Sequence, residues 1–307
     1  MGSEQEIGHP HLSMPDRGIA GLVARPRVLV LAAVAFCAGL GWAYFLAMSA
    51  SMAPVMNLSV LGPGMGALEW LFGPPGADGR IAVHNFWGMP AYDTWGAADI
   101  GLVFLMWVMM ALAMMVPTAA PMLLTYADLA DTASRQGKRA VSVAILGAGY
   151  LAVWIGFAAL AALAQWGLTE LRLMTPMMEP VQTVFAGTSM LAAGLYQFTP
   201  SKDACLTKCQ TPFPYFFANW TNRTGGVFKL GLEQGLFCLG CCWALMAVMF
   251  AVGVMNVVWI AILGAVMAAE KLVPGKWLSR SIGVALLVTG ALVLVFSEPG
   301  RVICGLN

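Results

Sequence analysis

Charge is the scarcest commodity in this chain. Only 10% of its 307 residues are Asp, Glu, Lys or Arg, against 60% hydrophobic residues and a mean hydropathy of +0.78. A soluble globular domain carries about a quarter charged residues, so that class is excluded. The fifteen acidic and sixteen basic residues all avoid the windows 28–50, 100–126, 140–169, 180–201, 234–269 and 281–297. Most of these windows reach the ~20 residues that a membrane-spanning helix needs. Histidine is nearly absent too, with three residues at 9, 11 and 84. A proton relay or charged ion path at mid-membrane therefore has no carriers, and any chemistry there falls to Met, Cys, Asn, Gln, hydroxyls and backbone carbonyls. No internal repeat argues for an inverted-repeat transporter. The basic residues form small loop groups, which excludes nucleic acid as a partner. No small-residue cleavage site follows the first window, so it reads as a retained helix rather than a signal peptide.

What is present is a polytopic, all-α bundle whose topology can be counted. The window 234–269 holds 36 residues, about 54 Å as a helix and too long for one crossing of a ~30 Å core. It should cross twice and turn at Gly253-Val-Met-Asn256. Loop charge tests this count. Segments 1–27, 127–139, 202–233 and 270–280 carry 3, 3, 4 and 3 Lys/Arg, whereas 51–99, 170–179 and 298–307 carry one each. Basic residues on alternate loops fit about seven spanning helices with a cytoplasmic N-terminus. The expected helices are 28–50, 100–124, 140–165, 180–199, 235–253, 256–270 and 281–297. They form a single transmembrane bundle, 28–297, between a cytoplasmic tail, 1–27, and a C-terminal tail, 298–307. An outer segment, 51–99, and a Cys-bearing inner loop, 202–233, complete the organisation.

Soft donors are unevenly placed. Five of the seven cysteines lie between 205 and 242, as Cys205-Leu-Thr-Lys-Cys209 and Cys238-Leu-Gly-Cys241-Cys242. Helical spacing puts Cys238, Cys242, Met246 and Met249 on one stripe with Cys241 at its edge. Cys238 is expected at the cytoplasmic end of its helix, facing Cys205 and Cys209 in the loop on that side. Thiols in a reducing compartment favour a metal over a disulfide. A second candidate lining is Met106, Met110 and Met114, with Met109 at its edge, just ahead of Pro117 and Pro121. Thioethers bind Cu(I) well and hard ions poorly. Prolines free carbonyls where the helix bends. The same methionines could equally be flexible core filler.

Other features are weaker. Cys37 reads as an apolar filler, and Cys304 has no assigned role. His84 with Trp87, Met89 and Asp93, and His9-Pro-His11 with Met14, are surface or tail features that could collect metal. Trp87, Trp95, Trp166 and Trp277 suit membrane-interface anchors. Asn256 suits a turn cap. Glu270 and Lys271 read as a membrane-boundary stop.

Taken in order, several motifs resemble a bacterial family described as predicted metal-binding integral membrane proteins, a domain of unknown function. They are Trp107-x2-Met110-x3-Met114-Met115-x-Pro117, Tyr196-Gln-Phe-Thr-Pro200-x-Lys202-x2-Cys205-Leu-x2-Cys209, Cys238-Leu-Gly-Cys241-Cys242-Trp243-x-Leu-Met246, Gly253-x-Met255-Asn256 and Glu270-Lys271. They cover roughly residues 95–280. The resemblance implies a multi-pass protein of the bacterial cytoplasmic (inner) membrane. In relatives a histidine commonly stands a few residues before the Cys-Leu-Gly-Cys-Cys run, where this chain has Gln234. Three functions stay open. The first is binding or handling of a soft metal, copper(I) with zinc as the alternative, on Cys205, Cys209, Cys238, Cys241, Cys242, Met246, Met106, Met110 and Met114, with a metallochaperone as partner. The second is a thiol-disulfide oxidoreductase using Cys238 and Cys241 at a helix N-terminus. The third is an accessory subunit of a larger membrane complex.

Overall fold

The computed structural model of the chain describes residues 26–53, 57–72, 95–173 and 183–297. The candidate features at His9, His11, Met14, His84, Trp87, Met89, Asp93 and Cys304 lie outside these residues. Every regular element among the described residues is helical. Helix α1 is Pro26–Met52, α2 is Ala97–Thr118, α3 is Ala120–Arg135, α4 is Val143–Glu170 and α5 is Thr183–Tyr196. After these come α6, Pro200–Gln210, α7, Pro212–Ala218, α8, Thr224–Ala247, α9, Val257–Leu272, and α10, Trp277–Val295. Short 3₁₀ turns at Leu58–Leu61 and Met65–Leu68 follow α1. Five helices are long and apolar enough to cross a membrane: α1, α2, α4, α10, and α8 with its continuation to Val252. The shorter α5 is apolar as well.

Pro117 removes a donor near the end of α2, and the chain re-enters a helix at Ala120 with Pro121 in its first turn. Proline suits a first turn because the N–H there has no partner to lose. In the hinge, the Met115 carbonyl accepts from the Ala119 N–H and the Thr118 hydroxyl. Between α8 and α9 the reversal is built on Gly253, whose φ of 96° lies in the left-handed region that favours glycine. Asn256 is fully buried and caps α9, accepting from Trp259 N–H and donating to the carbonyls of Pro63 and Val252.

Among the described residues, members of the basic segments gather at one end of the bundle. Arg27 on α1 pairs with Asp128 on α3, and Tyr126 on α3 stacks on Trp220 and meets Phe216 edge-on. At the same end, Asp203 on α6 receives Lys276 and Arg280 at the start of α10.

Helix α8 runs through the centre, against α4 on one side and α6 on another. Gly149 and Gly231 make the α4 contact possible: a methyl on either would run into backbone of the other helix. Small residues at such crossings let main chains approach closely. Helix α8 starts at Thr224, well ahead of the 235 expected from composition. Lys229 and Glu233 end the apolar window, yet they sit on an ordinary helical turn as an i,i+4 pair. A charge-free window marks apolar surroundings, not the helix itself.

Candidate metal centre

Helix α6 brings its cysteines to α8 because polar attachments pin it from several directions. Lys202, fully buried, donates to both oxygens of Glu270 on α9 at 2.9 Å. The Gln210 amide donates to the Glu270 and Val273 carbonyls at 2.7 and 2.9 Å, closing the C-terminus of α9. Lys208 sits over the Phe237 ring of α8, 4.0 Å from its centre. With α6 so held, Cys205 and Cys209, four residues apart, face α8 together.

Cys205 lies against Gly240, where a methyl would come within 2.7 Å of its sulfur. The glycine in Cys-Leu-Gly-Cys-Cys is thus a seat for a neighbouring thiol, and Tyr196 fixes it by donating to its carbonyl. Cys209 Sγ is 4.0 Å from Cys241 Sγ. Cys241 and Cys242 each point a thiol back to the Cys238 carbonyl, at 3.1 and 2.8 Å. All the described cysteines are free thiols. Burial, then the nearby Cys241, pushes the Cys205 thiol up, and Lys208 draws it partly back. The hydrogen bond shared with Cys241, followed by burial, holds the Cys209 thiol well above its ordinary range. A cation that binds these sulfurs must therefore displace protons.

Cys238 is the fifteenth of the 24 residues of α8, about 21 Å along it. This corrects its expected position at a helix end, and removes the N-terminal dipole that would have activated it for disulfide exchange. Its sulfur lies 3.0 Å from Tyr150 Oη on α4 and accepts from Lys271 Nζ at 3.0 Å. Tyr150 also donates to the Met115 carbonyl, and Lys271 to the Thr118 hydroxyl at 2.6 Å. The proline hinge of α2 and the last turn of α9 thus meet at this cysteine.

A cavity of about 20 Å³ adjoins the cluster, lined by Thr118, Met122, Tyr150, Cys209, Gln234, Cys238 and Lys271. It is large enough for one water or one ion. The Gln234 amide nitrogen, buried in this wall, has no hydrogen-bond partner among the described residues.

Methionine contributes differently from the expected stripe. Met115 presents its sulfur to Cys242, at 3.7 Å. Met106, Met110, Met114 and Met246 are buried in the same core, and Met114 packs on Gly264 of α9. Glu270 and Lys271 are also more than a boundary stop. Each turns into the bundle, to Lys202 and to Cys238 respectively, so charged groups do reach the thiols. Sequence spacing gave no sign of Lys202, Lys271, Tyr150 or Thr118, since their partners lie 33 to 153 residues away. Among the described residues, no group of three or more His, Cys, Asp or Glu side chains stands ready to hold a metal ion. The centre offers closely spaced pairs of thiols.

An all-helical bundle with membrane-length apolar helices, gathering free thiols and a thioether in its core, has the donor chemistry of a soft-metal protein. The chain belongs to the PpoB2 family of copper chaperones, whose model matches residues 104–293. That span, from α2 to α10, includes every residue of the cluster. No curated protein and no solved structure matches the chain.

Proposed function

We propose that this protein is a membrane-embedded copper(I) chaperone that holds its cargo on thiols drawn from Cys209, Cys238, Cys241 and Cys242. Met115 supplies a thioether at the edge, and Cys205 stands at the half-buried approach beside Gly240. The carrying observation is the 4.0 Å separation of the Cys209 and Cys241 sulfurs, on two separate helices. Two sulfur–metal bonds of roughly 2.3 Å placed end to end span about 4.6 Å. Such a pair therefore opens only slightly to admit an ion. Cu(I) is satisfied by a pair of thiolates, whereas structural zinc takes four ligands. Paired rather than fourfold thiols favour copper.

In this reading the bundle crosses the bacterial inner membrane seven times, α5 and α9 supplying the two short crossings. The basic end, and with it α6, faces the cytoplasm, in keeping with the excess of Lys and Arg there. A metallochaperone or a larger membrane complex on that side would exchange copper through Cys205. The buried Met106, Met110 and Met114 lie further along α2, as soft lining beyond the thiols, and Met246 belongs to the same core.

The test is elemental analysis, with thiol counting, of protein reconstituted anaerobically with Cu(I). The expected result is bound copper that is lost in Cys209→Ser/Cys241→Ser. Wild-type protein that stays metal-free refutes the proposal.

A further inference from the structure

Among the described residues, Lys271 is a cation without a carboxylate partner. Its only described polar contacts are the Thr118 hydroxyl and the Cys238 sulfur, and it is buried. The neighbouring carboxylate, Glu270, has both oxygens occupied by Lys202. That pair is neutral as a unit. The core beside the thiols therefore holds one positive charge with no fixed negative partner. An unpaired charge in a low-dielectric interior is expensive, so its presence calls for a compensating anion.

The cargo supplies one. A monovalent ion on two thiolates forms a complex with a single net negative charge. A divalent ion on the same two thiolates is already neutral, and no third ligand stands ready among the described residues to make it anionic. We infer that Lys271 is the built-in counter-charge of the copper-loaded site and thereby the residue that selects a monovalent soft cation over a divalent one. This inference rests on the copper(I) reading above and adds to it a basis for choosing the metal. Thr118 holds the ammonium group against Cys238, and the small cavity that Lys271 lines with Cys209 and Cys238 adjoins the Cys209–Cys241 pair.

The experiment titrates the purified full-length protein with Cu(I) against a colorimetric Cu(I) chelator under anaerobic conditions, and repeats the titration with Zn(II) as competitor. Lys271→Met is expected to bind Cu(I) at least about tenfold more weakly than wild type, as befits removal of one partner of a buried charge pair. It should also hold Zn(II) better relative to Cu(I). Lys271→Arg keeps the charge and should restore the preference, which a merely space-filling role for Lys271 would not require. Lys271→Met that folds normally by circular dichroism and binds both metals as wild type does overturns the inference. If Lys271→Met does not fold, Thr118→Val carries the test. It releases the ammonium group and should weaken Cu(I) by a few fold, and an unchanged affinity overturns the inference equally. Wild-type protein that binds no Cu(I) at all would instead sink the functional reading, so the two failures are distinguishable.

Discussion

The two halves of α8 are made of different materials. Around Cys238, Cys241 and Cys242 the neighbours are a tyrosine, a lysine, a threonine, a glutamine and four further sulfurs, on Cys205, Cys209, Met115 and Met122. Beyond Leu245 the same helix presents Met246, Val248, Met249 and Val252, all buried, and ends on the Gly253 turn. The second half follows the rule that a bundle interior is apolar and needs only volume filled. The first half breaks that rule and carries the desolvation cost of charges and hydroxyls. That cost is tolerated where the groups are held in contact with one another, and here they converge on sulfur. The difference separates a part of the helix that holds the fold from a part that carries the donor groups of the proposed site.

Substitutions in each half should break or sharpen that contrast. The largest effect is expected from Cys209→Ser/Cys241→Ser, which removes the thiols from both helices and should abolish copper loading measured by elemental analysis. Folding should survive, because no disulfide is lost. Next is Glu270→Gln, which leaves Lys202 buried without a counter-ion. It should cost about 3–5 kcal/mol in unfolding experiments in detergent. The paired change Lys202→Met/Glu270→Leu should recover most of that loss. Gly240→Ala is milder. Its methyl meets the Cys205 sulfur at 2.7 Å, so overpacking of roughly 1–3 kcal/mol is expected. Cys205→Ala in the same background should relieve it, as measured by the thermal midpoint. Smallest is Met246→Leu, a nearly volume-conserving swap in the apolar half. It should change stability by less than about 1.5 kcal/mol and leave the copper stoichiometry untouched. A copper loss there as severe as in the thiol variant would erase the contrast between the halves.

The helical class was legible in the sequence because a bilayer needs long charge-free runs, and those runs are plain in the composition. The Gly253–Asn256 turn was legible for a related reason: one window was too long for a single crossing. The start of α8 was not, since Lys229 and Glu233 end the apolar run without ending the helix. The sulfur residues were legible as types, and the spacing of Cys238, Cys241 and Cys242 put them on one face. Their surroundings were not. Lys271 reaches Thr118 across 153 residues and Lys202 reaches Glu270 across 68, distances over which a linear pattern carries no signal. Met115 was not among the expected ligands because it stands next to the 106/110/114 stripe rather than on it. Gln234 was noticed only as a replacement for an expected histidine, and its place in the cavity wall came from the packing of α3, α6 and α9 around α8.

The most direct measurement is X-ray absorption spectroscopy at the copper edge on protein reconstituted anaerobically with one equivalent of Cu(I). The account predicts a monovalent ion with a shell of sulfur at roughly 2.3 Å, lost in Cys209→Ser/Cys241→Ser. A shell of nitrogen or oxygen, or a sulfur shell unchanged in that variant, would contradict it.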